Sequence, residues 1–198
     1  MPEPIALPLV GAPPPERRDA ARNRELLLDA ATALIERSGP RGVTMDAVAQ
    51  AAGVGKGTVF RRFESREGLM AAVLNHSEAE WQLQVMSGPP PLGPGADPWD
   101  RLLAFGRTRL ETTLLHAELI REAGRTGARA AGAYSFTVTH VRYLLTELGV
   151  RGDLPILATA LLAPLELPIL DQQVNLDGFP VDRVHEGWVD LARRIVGR

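Results

Sequence analysis

Residues 43–74 read VTMDAVAQAAGVGKGTVFRRFESREGLMAAVL. Thr44 is placed to cap a short helix over 45–52, because its hydroxyl can accept from a free backbone N–H of the first turn. Gly53 supplies the left-handed residue that ends such a helix, and Val54 follows as an apolar plug. Gly55 then opens a second short helix running to about Phe63, and Ser65 caps a longer one reaching about Val85. A short helix, a glycine turn and another short helix make a helix-turn-helix, whose second helix is built to enter a major groove.

Successive residues turn by about 100° on a helix, so Val59 and Phe63 share one face, which the spacing assigns to the core. Gly57, Thr58 and Arg61 face away, Phe60 and Arg62 lie on the flanks, and Lys56 occupies the first turn. Between 40 and 66 there are five basic residues, Arg41, Lys56, Arg61, Arg62 and Arg66, against Asp46 and Glu64, although the whole chain carries a net charge of -2. Any nucleic-acid binding must therefore come from this local patch. Lys56 is the only lysine among 198 residues. Thr44, and Ser65 at the next helix start, can help hold a phosphate. Gly57 lets backbone approach DNA closely, and the methyl and hydroxyl of Thr58 suit a thymine, a base edge or a phosphate. Lys56 and Arg61 have the reach for base edges or phosphates, Arg62 and Arg66 for phosphates. The competing reading of the same residues is a solvated basic face with ordinary capping.

The block 43–74 also resembles the signature of the TetR family of bacterial transcriptional regulators, in detail over about a quarter of the chain. The preceding helix and the total length agree with it. That family reads a hydroxyl residue at the start of helix two, an Ala-Gly-Val turn, then Ser-x-Gly-x-Leu-Tyr-x-His-Phe and Ser-Lys-Glu. The resemblance implies phosphate contacts by Thr44, Lys56, Arg62 and Arg66. Gly55 replaces the usual serine, Arg62 a common histidine or tyrosine, and Arg66 the usual lysine. Phe60 stands where a tyrosine gives its hydroxyl to a phosphate, so only a van der Waals contact is implied there.

Outside this block, hydrophobic residues make up 45% of the chain and charged residues 23%, enough for a real core. With no cysteine, disulfides, thiolate catalysis and sulfur-based zinc sites are excluded. The proline-rich start, 1–20, reads as a flexible arm, and its apolar run lacks the basic flank of an export signal. Leu27, Ala30, Ala31 and Leu34 give a helix over 22–38 ended by Gly39 and Pro40. A Pro/Gly linker fills 87–98, followed by helical patterns over 99–122, 128–148, 154–173 and 181–196. Pro164 and Pro168 should kink or split the third of these. Nothing sustains a period of two, so the expected fold is all-α: a helix-turn-helix domain over 21–66 and a helical domain over 67–198. The apolar stretch 154–170 contains three prolines and Glu166 and is shorter than a membrane span.

The resemblance further implies that the C-terminal helices dimerise and enclose a small-molecule effector. An apolar stripe, Val184, Trp188, Leu191 and Ile195, with Leu157, Leu161 and Leu165 on the preceding helix, is the expected homodimer interface; intrachain core is the alternative. Phe105, Arg109, His116, Tyr134, Phe136, His140 and Tyr143 offer aromatic surface and polar handles for a pocket. No two of the four histidines have metal-ligand spacing on one helical face, and no nucleophile elbow, phosphate loop or dinucleotide fingerprint occurs. Neither an enzyme nor a cofactor is expected. The expected protein is a cytoplasmic, ligand-responsive repressor gripping a palindromic double-stranded operator as a homodimer, with no membrane partner. The rival is a non-catalytic scaffold whose helix-turn-helix contacts protein.

Overall fold

Thr44 does what its position requires: its Oγ1 accepts from the Ala47 N–H at 3.1 Å and opens helix α2, Met45–Ala51. In the computed structural model, residues 15–123 and 127–197 are described, and they contain helices without strands. Before α2 come α1, Pro15–Ser38, and a 3-10 turn, Pro40–Gly42; after it come α3, Lys56–Phe63, and α4, Arg66–Ser87. Then follow α5, Pro98–Leu115, α6, Ala117–Glu122, α7, Gly127–Glu147, α8, Leu154–Leu162, α9, Leu167–Leu170, and α10, Val181–Val196. Residues 1–14 of the expected arm lie outside the described residues, while 15–20 already belong to α1.

The chain falls into two units that meet in sequence between Arg66 and Glu67. The first closes on Leu27, Leu28, Ala31, Leu34, Val43, Met45, Val48, Ala49, Val59 and Phe63, all buried. Its turn is fixed by Gly53, at φ 67°, whose N–H donates to the Gln50 carbonyl while the Val54 N–H reaches back to Ala49. That pair of bonds is the left-handed helix stop that glycine adopts at no steric cost. At the far end of α3, Glu64 takes φ 64° and ψ -45°, and the Ser65 N–H donates to the Phe63 carbonyl at 2.7 Å. This is a γ-turn in its strained, positive-φ form, carried by a residue with a side chain. Arg66 braces the same corner, donating from Nε to the Val43 carbonyl at 3.0 Å and from Nη2 to the Pro40 carbonyl at 2.6 Å.

In the second unit, Trp81 and Val85 of α4 pack with Leu102, Phe105 and Leu110 of α5, Val141, Leu144 and Leu145 of α7, Ala158, Leu161 and Leu162 of α8, and Trp188 and Ala192 of α10. Asp97 and Asp153 cap α5 and α8 by accepting from the Trp99 and Ile156 N–H groups. Gly106 has no room for a side chain, because a Cβ there would overlap the Trp188 ring.

Two expected helices are broken. The pattern over 99–122 divides at His116, whose φ of -95° and ψ of 11° end α5 and start α6. The pattern over 154–173 becomes α8, a 3-10 turn Ala163–Leu165, α9 and a π-helical turn Asp171–Leu176. Pro164 and Pro168 account for the breaks, each lacking the N–H that an uninterrupted helix needs. No single described helix is long and apolar enough to cross a membrane; 154–165 and 167–176 suffice only together, across a bend of 44°. Their Ala158, Leu161, Leu162, Leu165 and Leu170 are buried in the core instead.

Candidate nucleic-acid interface and effector core

Helix α3 is held by Val59 and Phe63, both buried, and presents the rest of its surface to solvent. Gly55 is its N-cap, with no side-chain bond, and Lys56 is its first residue. The Lys56 Nζ lies 2.7 Å from Asp46 Oδ2 on α2, with side chains 60% and 61% exposed, and 5.7 Å from the centre of the Phe60 ring. At that exposure the pair adds at most about 1 kcal/mol to stability, so its importance is positional. A Cβ on Gly57 would meet nothing within 4 Å, so no packing inside the chain requires glycine there.

Arg61 makes no hydrogen bond or ion pair among the described residues, and Phe60 and Arg62 are exposed. With Asn23, Arg24, Leu27 and Thr58, the two arginines line a depression of about 330 Å³ between α1 and α3. Arg24 escaped the sequence reading because a cation on the polar side of an amphipathic helix looks like ordinary solvation. Arg66 has a different place from the one expected: its guanidinium holds the 40–43 turn, and it acts first as a brace for the domain. Thr44 likewise gives its hydroxyl to its own helix.

The expected effector residues separate into two groups. Phe105, Phe136, His140 and Tyr143 come together: His140 stacks on Phe105 at 5.3 Å and on Phe136 at 6.0 Å and lies 6.2 Å from Tyr143. Trp81 completes the cluster, 5.1 Å from Phe105 and 6.3 Å from Phe136, and the Arg109 guanidinium sits 5.2 Å from the Trp81 ring. His116 marks the α5–α6 break instead, and Tyr134 is exposed on α7, its hydroxyl 3.1 Å from Thr159 Oγ1. Phe105 is fully buried in this packed core and not on an open wall.

Two guanidiniums on α5 are treated unequally. Arg109 Nη1 bonds both oxygens of Glu78, at 3.1 and 2.8 Å, with side chains 16% and 11% exposed. Arg101 is only 9% exposed, yet no carboxylate among the described residues pairs with it. Its Nη2 makes one long bond of 3.5 Å to the Val85 carbonyl, its Nε has no partner, and its Cζ lies 5.9 Å from the Tyr143 ring. An uncompensated buried cation is expensive, by about 3–5 kcal/mol when a partner is withheld. His140, 8% exposed, also has an unpartnered nitrogen, Nε2. Burial, and then the Arg101 charge, lowers its pKa to about 4, so the ring is neutral at pH 7. Beside them, Tyr143, Thr139, Arg142, Thr146, Asp153 and Leu154 help to line an open groove of about 570 Å³ between α7 and α8.

Leu161, Leu165 and Trp188, expected at an interface between copies, are buried in their own chain, and Trp188 Nε1 donates to the Leu161 carbonyl at 2.8 Å. Leu157, Val184, Leu191 and Ile195 are half-buried beside that core. Among the small and apolar residues, Pro155, Ile156 and Ala160 of α8, Ala163 of the following 3-10 turn and Gly187 of α10 are exposed.

Residues 27–73 match the sequence model of the family described as bacterial regulatory proteins, tetR family. Comparison with curated proteins returns no match. Among solved structures, the multidrug binding protein EbrR complexed with imidazole is 26% identical, with a TM-score of 0.57, covering 94% of this chain and 97% of its own. The Thermus thermophilus FadR, a TetR-family transcriptional repressor in complex with lauroyl-CoA, is 20% identical at a TM-score of 0.61, covering 85% and 92%. A TetR-like transcriptional regulator from Rhodococcus sp. RHA1 is 21% identical at 0.56, covering 89% and 97%. Residues 27–73 thus match the helix-turn-helix model of the TetR family of bacterial regulatory proteins, and the chain shares the fold of solved regulators described as TetR-like or TetR-family.

Proposed function

We propose that the protein is a non-catalytic, ligand-responsive repressor in the cytoplasm that binds a palindromic DNA operator as a homodimer. The observation that carries this reading is the outer face of α3, where Lys56, Gly57 and Arg61 are exposed while Val59 and Phe63 anchor the helix. Bare Gly57 allows the helix backbone to approach a base edge, and the depression flanked by Arg24, Arg61 and Arg62 suits a phosphate. Thr44, Gly55, Thr58 and Phe60 lie around this face as further contacts, and Arg66 contributes by holding the corner.

The apolar strip of Ile156, Ala160 and Ala163, with Leu157, Val184, Gly187, Leu191 and Ile195 alongside, is the face we assign to dimerisation. Small residues there let two copies approach closely, and a twofold dimer matches the two half-sites of a palindrome. EbrR complexed with imidazole and FadR in complex with lauroyl-CoA support a small-molecule effector, which we assign to the helices around the Trp81–Phe105–His140 cluster. An effector releases the operator only if it prefers the conformation that binds DNA poorly.

The test is binding to DNA from the protein's own promoter across a salt series. Lys56→Ala and Arg61→Ala should each weaken binding about tenfold, a phosphate contact also lowering the salt slope by about one. A folded protein that prefers no promoter sequence over random DNA at any salt concentration sinks the operator reading.

A further inference from the structure

We propose that the effector is a small, largely apolar carboxylic acid, bound as its anion by Arg101 with His140 beside it. The inference rests on the effector reading above and adds the chemical class. Arg101 and Arg109 stand on the same helix, and both are largely buried. Arg109 has its carboxylate within the chain, in Glu78. Arg101 has none among the described residues, keeps an idle Nε, and spends one long bond on a backbone carbonyl. The planar fork of a guanidinium matches a carboxylate in a bidentate pair, so an incoming anion supplies what Glu78 supplies to Arg109.

The surroundings define the rest of the molecule. His140 offers a second unpartnered nitrogen, Nε2, and both groups lie beside one ring, Tyr143: Arg101 Cζ at 5.9 Å and the His140 ring at 6.2 Å. Neutral imidazole with its proton on Nε2 can donate to a carboxylate oxygen. Phe105 and Phe136 stack on His140, and Trp81 touches both, so the body of the ligand meets aromatic faces. Aromatic neighbours favour a flat or unbranched apolar body over one with a second charge. Tyr143 belongs also to the open groove between α7 and α8, which carries Arg142 on its rim.

The experiment uses the full chain and three acids, benzoate, phenylacetate and octanoate, each against its neutral amide, by titration calorimetry at pH 7.5. Operator binding is followed in parallel. At least one acid should bind about tenfold or more tightly than its amide. Arg101→Gln should shrink that preference to about twofold or less, while Arg101→Lys, which keeps the charge, should retain part of it. A cooperative urea transition with unchanged helical circular dichroism shows that the variants are folded. No preference for any acid, or a preference that survives Arg101→Gln, overturns the proposal and leaves water as the occupant beside Arg101. Operator binding with no acid binding removes this inference alone; acid binding with no operator removes the DNA reading alone.

Discussion

The N-terminal unit keeps the cations of α3 in water, and the C-terminal unit takes two of its own out of it. Around α3, Lys56, Arg61 and Arg62 are exposed, and the Lys56–Asp46 ion pair is open to solvent on both sides. On α5, Arg109 is buried with a partner and Arg101 without one. Charge on α3 is therefore nearly independent of folding. In the second unit, charge and folding are one problem, since low-dielectric surroundings magnify both a satisfied pair and an unsatisfied ion.

The contrast within α5 gives the largest expected effect. Glu78→Gln leaves the Arg109 charge without its carboxylate and should lower unfolding free energy by about 3–5 kcal/mol, whereas Arg101→Met should be neutral or stabilising. Urea denaturation of the two variants checks this, and equal losses would erase the distinction between the arginines.

The next effect is one of pH. The His140 pKa is lowered from 6.5 to about 4 in the folded chain, so the unfolded state binds more protons between those values. Stability is then complete above about pH 6.5 and falls as pH drops toward 4, by up to about 3 kcal/mol from this group. His185, whose pKa is lowered first by burial and then by Arg107, acts in the same direction. Denaturant midpoints at pH 5 and 7.5 should differ less in His140→Phe than in the natural chain; an unchanged difference would acquit His140.

The smallest change in stability comes from the exposed side of the comparison. Gly57→Ala adds a methyl that meets nothing within the chain and should raise stability by at most about 1 kcal/mol. Its operator affinity should nevertheless fall, about tenfold, if backbone approaches the groove there. Unaltered affinity would mean that the glycine is idle in both respects.

How much of this was legible in the sequence depended on how local the physics was. Thr44, Gly53, Val59 and Phe63 each declare their role through neighbours within a few residues, and the structure places the cap, the stop and the two anchors accordingly. Leu161, Leu165 and Trp188 misled because periodicity shows that a face is covered, not what covers it; here α5 covers Trp188 at Gly106, and Trp188 in turn bonds the Leu161 carbonyl. Arg101 escaped altogether. Its one signal is position: Arg101 stands one turn before Phe105 on the buried side of α5, where an arginine is out of place. Whether a carboxylate answers it depends on contacts between helices, which spacing along one helix does not encode.

The single lysine has a practical consequence. The only side-chain primary amine in the sequence sits on the first turn of α3. An acylating reagent aimed at lysine side chains therefore marks this one helix and no other, so a mass increment on the peptide bearing Lys56 is a site-resolved footprint. Slower modification in the presence of duplex reports cover at that one residue, with no engineered tag.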